Sequence, residues 1–157
     1  MRAARYGLPL TLAIIGGNPQ RFRSYVDLYL ESLARFGQPV QPIAVHSPGH
    51  VATTDEQARE EIWPHYREML TRIGMERGWP PVTRDHFERE AGPAGALYVG
   101  APATVAAKIA RTVTALGLSR FTMKYSAGTL PHAALLSSIE LFGTEVVPQA
   151  RALLAAG

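Results

Sequence analysis

A short apolar run that stops at glycine and passes straight into a helix opening constrains this chain more than any other feature, because the rest of the chain repeats it. At residues 8–22, LPLTLAIIGGNPQRF, the side chains of Leu10, Leu12, Ala13, Ile14 and Ile15 are almost continuously apolar. Such a run suits a strand covered on both faces. Gly16 and Gly17 then permit a sharp turn or a close approach, and Asn18 before Pro19 is a helix cap followed by a first-turn proline. A strand, a glycine turn and a helix N-terminus together make an anion cradle. The same pair serves equally as a tight strand-to-helix turn, since it falls well short of a phosphate-loop fingerprint.

The size and balance of the chain fit one domain. It has 157 residues, 46% hydrophobic and 18% charged, enough for a real core. Its 16 basic and 13 acidic residues are mixed along the chain with no block of like charge, so no nucleic-acid partner is indicated. No apolar run reaches the roughly 20 residues that span a bilayer, and residues 1–5 lead into a strand rather than a signal-peptide cleavage site. The expectation is a cytoplasmic protein with no membrane partner. With no cysteine, disulfides, thiolate nucleophiles and Cys-ligated metals are out of consideration.

In chain order, RAARY followed by Gly7 reads as the last turn of a helix. Phe22, Val26, Tyr29, Leu30 and Leu33 recur at helical spacing up to Gly37. Residues 40–46, VQPIAVH, give a second strand ending at His46, and the loop after it places His46 and His50 around a Pro-Gly turn. No H-E-x-x-H motif or carboxylate cluster accompanies the two histidines, so they read as the rim of a site and no metal is expected. Residues 55–77 are helical, opened by Thr54 with Gln57 as a capping box and interrupted by Pro64, where a kink or division is expected. Residues 78–95 show neither period and read as an irregular excursion.

Residues 97–100 form a short strand before a helix whose face is Val105, Ile109, Val113 and Leu116, closed by Gly117. Gly100 stands where amides are free for a phosphate or simply for helix opening. Residues 121–125 alternate most clearly, with Phe121, Met123 and Tyr125 on one side and Thr122 and Lys124 on the other. A lysine facing a closed interior needs an anion or a carboxylate, whereas one at a strand end is solvated. The turn SAGTLPH at 126–132 leads into a helix with a buried stripe of Leu135, Ile139 and Phe142, ending before Gly143, and an Ala/Leu-rich helix opened by Pro148 follows. His132, in the first turn, serves as a structural residue or a ligand.

Strands alternating with helices, each strand ending in a glycine turn, describe a parallel α/β protein whose ligands bind at the strand C-terminal ends. The stretches GLPLTLAIIGGNPQRF, HSPGHVATTDEQA, GALYVGAPATVAAKI, RFTMKYSAGTLPH and SIELFGTEVVPQ, in that order, resemble the C-terminal part of the luciferase-like monooxygenase family of flavin-dependent oxidoreductases. The resemblance covers nearly the whole chain as a single partial domain, 1–157. It implies the C-terminal part of a (β/α)8 TIM barrel, with about four of the eight strands present. It also implies reduced FMN, or a deazaflavin coenzyme, at the barrel mouth, a small organic substrate, and a flavin reductase as a possible partner. Gly16, Gly17, His46, Ser126 and Gly128 match positions near that mouth, and Lys124 is placed there by alternation. No catalytic residue is identified, since in such enzymes the flavin carries the chemistry. A Gly-Ser-Pro type phosphate-binding turn of the family falls just before Met1. The expectation is therefore an oxidoreductase fragment inactive alone, which forms a homodimer or associates with the missing barrel half. The other reading is a non-catalytic binding or assembly module, or a truncated reading frame.

Overall fold

In the computed structural model, which describes residues 1–156, one strand organises the sheet. β2 (Ile43–Val51) pairs in parallel with each of the other three strands. β1 (Leu10–Ala13) and β4 (Arg120–Lys124) run along its first half, and β3 (Tyr98–Gly100) pairs with Gly49, His50 and Val51 at its far end. Helices α1 (Arg2–Arg5), α2 (Arg23–Arg35), α3 (Asp55–Arg77), α4 (Arg84–Ala91), α5 (Pro102–Leu116), α6 (His132–Leu141) and α7 (Val147–Ala156) fill the connections. The architecture is that of a partial (β/α)8 barrel, as the alternation of elements implies.

The register sorts the side chains into two faces. Leu10, Leu12, Ile43, Val45, Phe121 and Met123 point toward α1, α2, α5 and α7 and make most of two apolar clusters with Val26, Tyr29, Leu33, Ile109 and Val146. The opposite face carries Thr11–Ala44–Arg120 in one row, Ala13–His46–Thr122 in the next, and Pro48–Lys124 beyond. On it Thr11, Ala13, Arg120, Thr122 and Lys124 are exposed. The expectation of a first strand covered on both faces therefore fails: the helices that pack on β1 all lie on one side. Only the strand C-terminal end of the open face is roofed, where α3 and α4 bury Ala58, Ile62, Tyr66 and Phe87 against Ala52, Leu97 and Val99.

Several local expectations change. β2 runs on through Pro48 and Gly49 instead of stopping at His46. Pro48 is the last residue of β2 paired with β4 and precedes the first paired with β3, so its missing N–H falls where β2 changes partner. Gly49 is there for space rather than for a turn, since a Cβ would stand 2.5 Å from the Tyr98 carbonyl oxygen and 2.5 Å from the Met123 sulfur. α3 is continuous through Pro64, which is exposed, so the carbonyl it leaves without a donor faces water. Residues 78–95 are not irregular throughout: Thr83 caps α4 by accepting from the His86 amide, 3.2 Å. Gly143 does not end a helix either, because α6 passes through a π turn at Phe142–Val146 into α7. That turn absorbs the hydrogen bond that Pro148 cannot make. Of the expected buried stripe, Ile139 is exposed and Leu135 and Phe142 are only half-buried, and α6 instead docks through buried Ser138, whose hydroxyl accepts from the Val51 amide at 2.8 Å. The start matches its reading: Gly7, at φ 62°, closes α1 with the Leu8 amide bonded to Ala3 and the Gly7 amide to Ala4.

Candidate functional site

The open face brings His46 and Lys124 together. They occupy adjoining rows on neighbouring strands, with Thr122 beside His46 and Pro48 beside Lys124. Lys124 closes β4, at the end on which such sheets bind ligands, whereas His46 stands in the first half of β2. Lys124 forms no ion pair among the described residues.

Beyond β4 the loop carrying Ser126 and Gly128 is strapped to α3. Ala127 is buried in the roof cluster. The Thr129 hydroxyl donates to Glu68 at 2.9 Å and meets His65 Nδ1 at 2.8 Å. Gly128 adopts φ +68° above Met69, a conformation that favours glycine. Ser126 is exposed on this loop.

Two turns that read as anion cradles are filled from within the chain. The Gly17 amide donates to both carboxylate oxygens of Glu90, at 3.1 and 3.0 Å, and the Ala96 amide adds a third bond at 3.2 Å. Gly17 itself is at φ 75°. At the second turn the Ala101 amide donates to Asp55 at 2.7 Å and the Thr104 hydroxyl to its other oxygen at 3.1 Å. Gly100 leaves the room for this, as a Cβ there would lie 2.6 Å from Asp55. The carboxylates neutralise the strand-to-helix turns that a phosphate would otherwise occupy.

His50, expected on a loop, is fully buried in β2 on the face of His46, and its Nε2 lies 2.8 Å from Glu61 of α3. Glu61 is held in turn by the Gln57 amide at 2.6 Å. The pair pins the roof to the sheet. Lys108 is the other polar group that sequence reasoning passes over. It stands on the buried face of α5 and its ammonium reaches the carbonyls of Gly92 at 2.7 Å, Leu97 at 2.8 Å, Glu90 at 3.2 Å and Ala91 at 3.3 Å. Burial pushes it down to about 7, with the Glu90 carboxylate opposing. A cation there closes the C-terminal end of α4. The signal was available, since Lys108 falls at helical spacing with Val105, Ile109 and Thr112; nothing local marks Glu90 or Asp55.

No protein-family model matches the sequence, and no curated protein matches it. Solved structures do. A monooxygenase from Streptomyces bottropensis superposes with a TM-score of 0.71 at 22% identity over 94% of this chain and 43% of its own. The oxygenating constituent of 3,6-diketocamphane monooxygenase from Pseudomonas putida, solved in complex with FMN, gives 0.72 at 19% identity over 94% of this chain and 44% of its own. The chain shares its fold with these monooxygenases. It spans less than half the length of either. The coenzyme F420-dependent tetrahydromethanopterin reductase of Methanopyrus kandleri is also similar, with a TM-score of 0.57 at 18% identity over 88% of this chain and 44% of its own. The partial barrel implied by the sequence resemblance is thus the fold observed, and the uncovered face is the one that a closed barrel encloses. Among the described residues no helix is long and apolar enough to cross a membrane.

Proposed function

We propose that this chain is the later part of a flavin-dependent oxidoreductase, a monooxygenase acting in the cytoplasm on a small organic substrate with cofactor reduced by a separate flavin reductase. The observation that carries this reading is the placement of His46 and Lys124 in adjoining rows of the open face, with Lys124 at the C-terminal end of β4. The fold neighbours solved with FMN or named for coenzyme F420 support a flavin or deazaflavin as the group bound. A reduced flavin supplies the hydride or the electrons for oxygen chemistry, and the protein supplies position and charge.

The donor set fits such a group. Lys124 offers an unpaired ammonium to an electron-rich ring edge, His46 offers a ring nitrogen one row below, and Ser126 and Gly128 bound the loop above. Gly16 and Gly17 enter as the turn that shapes the neighbouring wall, because Glu90 already holds the Gly17 amide. Flavin fluorescence titration with FMN tests the reading, with saturable binding expected. Lys124→Met should weaken it about tenfold to a hundredfold, the worth of one charged hydrogen bond at about 1.5–3 kcal/mol. An unchanged affinity removes Lys124 from the site.

A non-catalytic assembly module is the second reading, favoured by the filling of both amide turns by Glu90 and Asp55. Absence of saturable binding by FMN and by coenzyme F420, in a chain that unfolds cooperatively, would decide for it.

A further inference from the structure

We infer that Thr129 is a positioning residue: its hydroxyl, shared between Glu68 and His65, clamps the loop of Ser126 and Gly128 to α3 and fixes a proton on His65 Nδ1. The benefit to a ligand rests on the proposed reading of Ser126 and Gly128 as flavin-site residues. The clamp itself rests only on contacts within the chain.

Residues 126–130 have little else to fix them. Among the described residues they make no backbone–backbone hydrogen bond, and the two contacts of Thr129 are their only side-chain hydrogen bonds. Ala127 is buried in the roof cluster and Leu130 packs against it. Such apolar contact holds the loop down but is non-directional, so it does not fix how the loop is oriented. The directional anchor is Thr129. Both of its partners stand on α3, three residues apart and so side by side on one helix face. Gly128, just before it, lies against the same helix, since a Cβ there would stand 3.9 Å from Met69.

The chemistry of the three groups dictates where the protons lie. A threonine hydroxyl has one proton to give and lone pairs to receive another, whereas a carboxylate only accepts. Thr129 therefore donates to Glu68 at 2.9 Å. Its lone pairs are left facing His65 Nδ1 at 2.8 Å, a contact that is attractive only if Nδ1 carries a hydrogen. That holds in the neutral ring and in the cation alike, so His65 gains and loses its titrating proton at Nε2 alone. A loop fixed in this way before a ligand arrives has less freedom to lose on binding.

NMR on the isotope-labelled chain tests this, with the His65 ring signals assigned by their loss in His65→Gln. In the parent the neutral ring should be protonated on Nδ1, and the amides of residues 126–130 should have order parameters of roughly 0.85. Glu68→Ala should turn the Thr129 proton toward Nδ1 and move the ring proton to Nε2. Thr129→Val, of nearly the same shape, should remove the Nδ1 preference and drop the loop order parameters below about 0.6. Thr129→Ser should restore both. Thr129 and Glu68 are exposed, and thermal unfolding checks that each variant folds. In FMN titration Thr129→Val should bind about fivefold or more weakly than the parent, and Thr129→Ser like the parent. A neutral parent ring protonated on Nε2 would overturn the inference. So would a Thr129→Val chain with the parent's tautomer and loop order, or with the parent's affinity for FMN. A parent with the expected tautomer and an ordered loop that takes up no FMN supports the clamp and counts against the flavin reading alone.

Discussion

Phe87→Ala should lower the free energy of unfolding by about 3–5 kcal/mol, with a fall in Tm on the order of 10 °C for a domain of this size. Phe87 is 0% exposed and is the pivot of the roof over the strand ends. Its ring sits 5.2 Å from Trp63 and 5.4 Å from Tyr66, both tilted, and the Arg84 guanidinium stands 5.3 Å from its centre. Deleting the ring leaves a cavity between α3 and α4 that the flanking aromatics cannot collapse into without losing their own contacts. Urea unfolding followed by tryptophan fluorescence is the measurement, since Trp63 reports on this cluster. A cost below about 1 kcal/mol would show that 78–95 is the detachable excursion its sequence resembles.

Lys108→Met should cost about 3 kcal/mol, and the cost should grow with pH. The methionine keeps the packing but strips four carbonyls of their shared donor. Ala91 loses most, because no amide bonds its carbonyl in place of the lysine; such losses cost about 1–3 kcal/mol each where no other partner exists. The pH dependence follows from the direction of the shift. The folded chain gives up the Lys108 proton near pH 7, whereas the unfolded chain holds it to about 10.4. Between those values the unfolded state binds more protons, so Lys108 makes stability rise with pH, and below about 7 the contribution is flat. Other groups cancel in the comparison. The difference in unfolding free energy between the parent and Lys108→Met should therefore widen from about pH 6 to pH 9. A difference constant over that range would mean that the carbonyl cage keeps the ammonium charged.

The elements legible in the sequence are those whose pattern is decided locally. Gly7 and Gly117 close helices where the chain has to turn left-handed, and the alternation through 121–124 sorted Phe121 and Met123 from Thr122 and Lys124 before any partner strand was known. What escaped reading depends on partners far along the chain. Pro48-Gly49 carries the chemistry of a turn, yet it is held straight because β3 and Met123 crowd against it. α4 buries only Phe87 and Ala91, too few positions to make a period, and its charged residues are used by α3, the Gly17 turn and Lys108. At the candidate site, strand periodicity fixes the face of Lys124, whereas His46 is named by the family resemblance. Glu90 and Asp55 were not, since a carboxylate that serves an amide 73 or 46 residues away leaves no local mark.

β1, β3 and β4 each touch β2 and none pairs with another, so the sheet is a star rather than a ladder. An ordinary sheet frays from its edges inward, strand by strand, but here the loss of any outer strand leaves the other two in place and the loss of β2 releases all three at once. The amides of β2 that face β1 and those that face β4 can then exchange through separate, smaller openings, each set released with its own outer strand. The order of assembly follows from the same arrangement. β1 is the partner nearest to β2 in the chain and closes the shortest loop, whereas β4 must wait until α3, α4, β3 and α5 have been threaded between. The β4 edge is thus the last part of the sheet to acquire its shape.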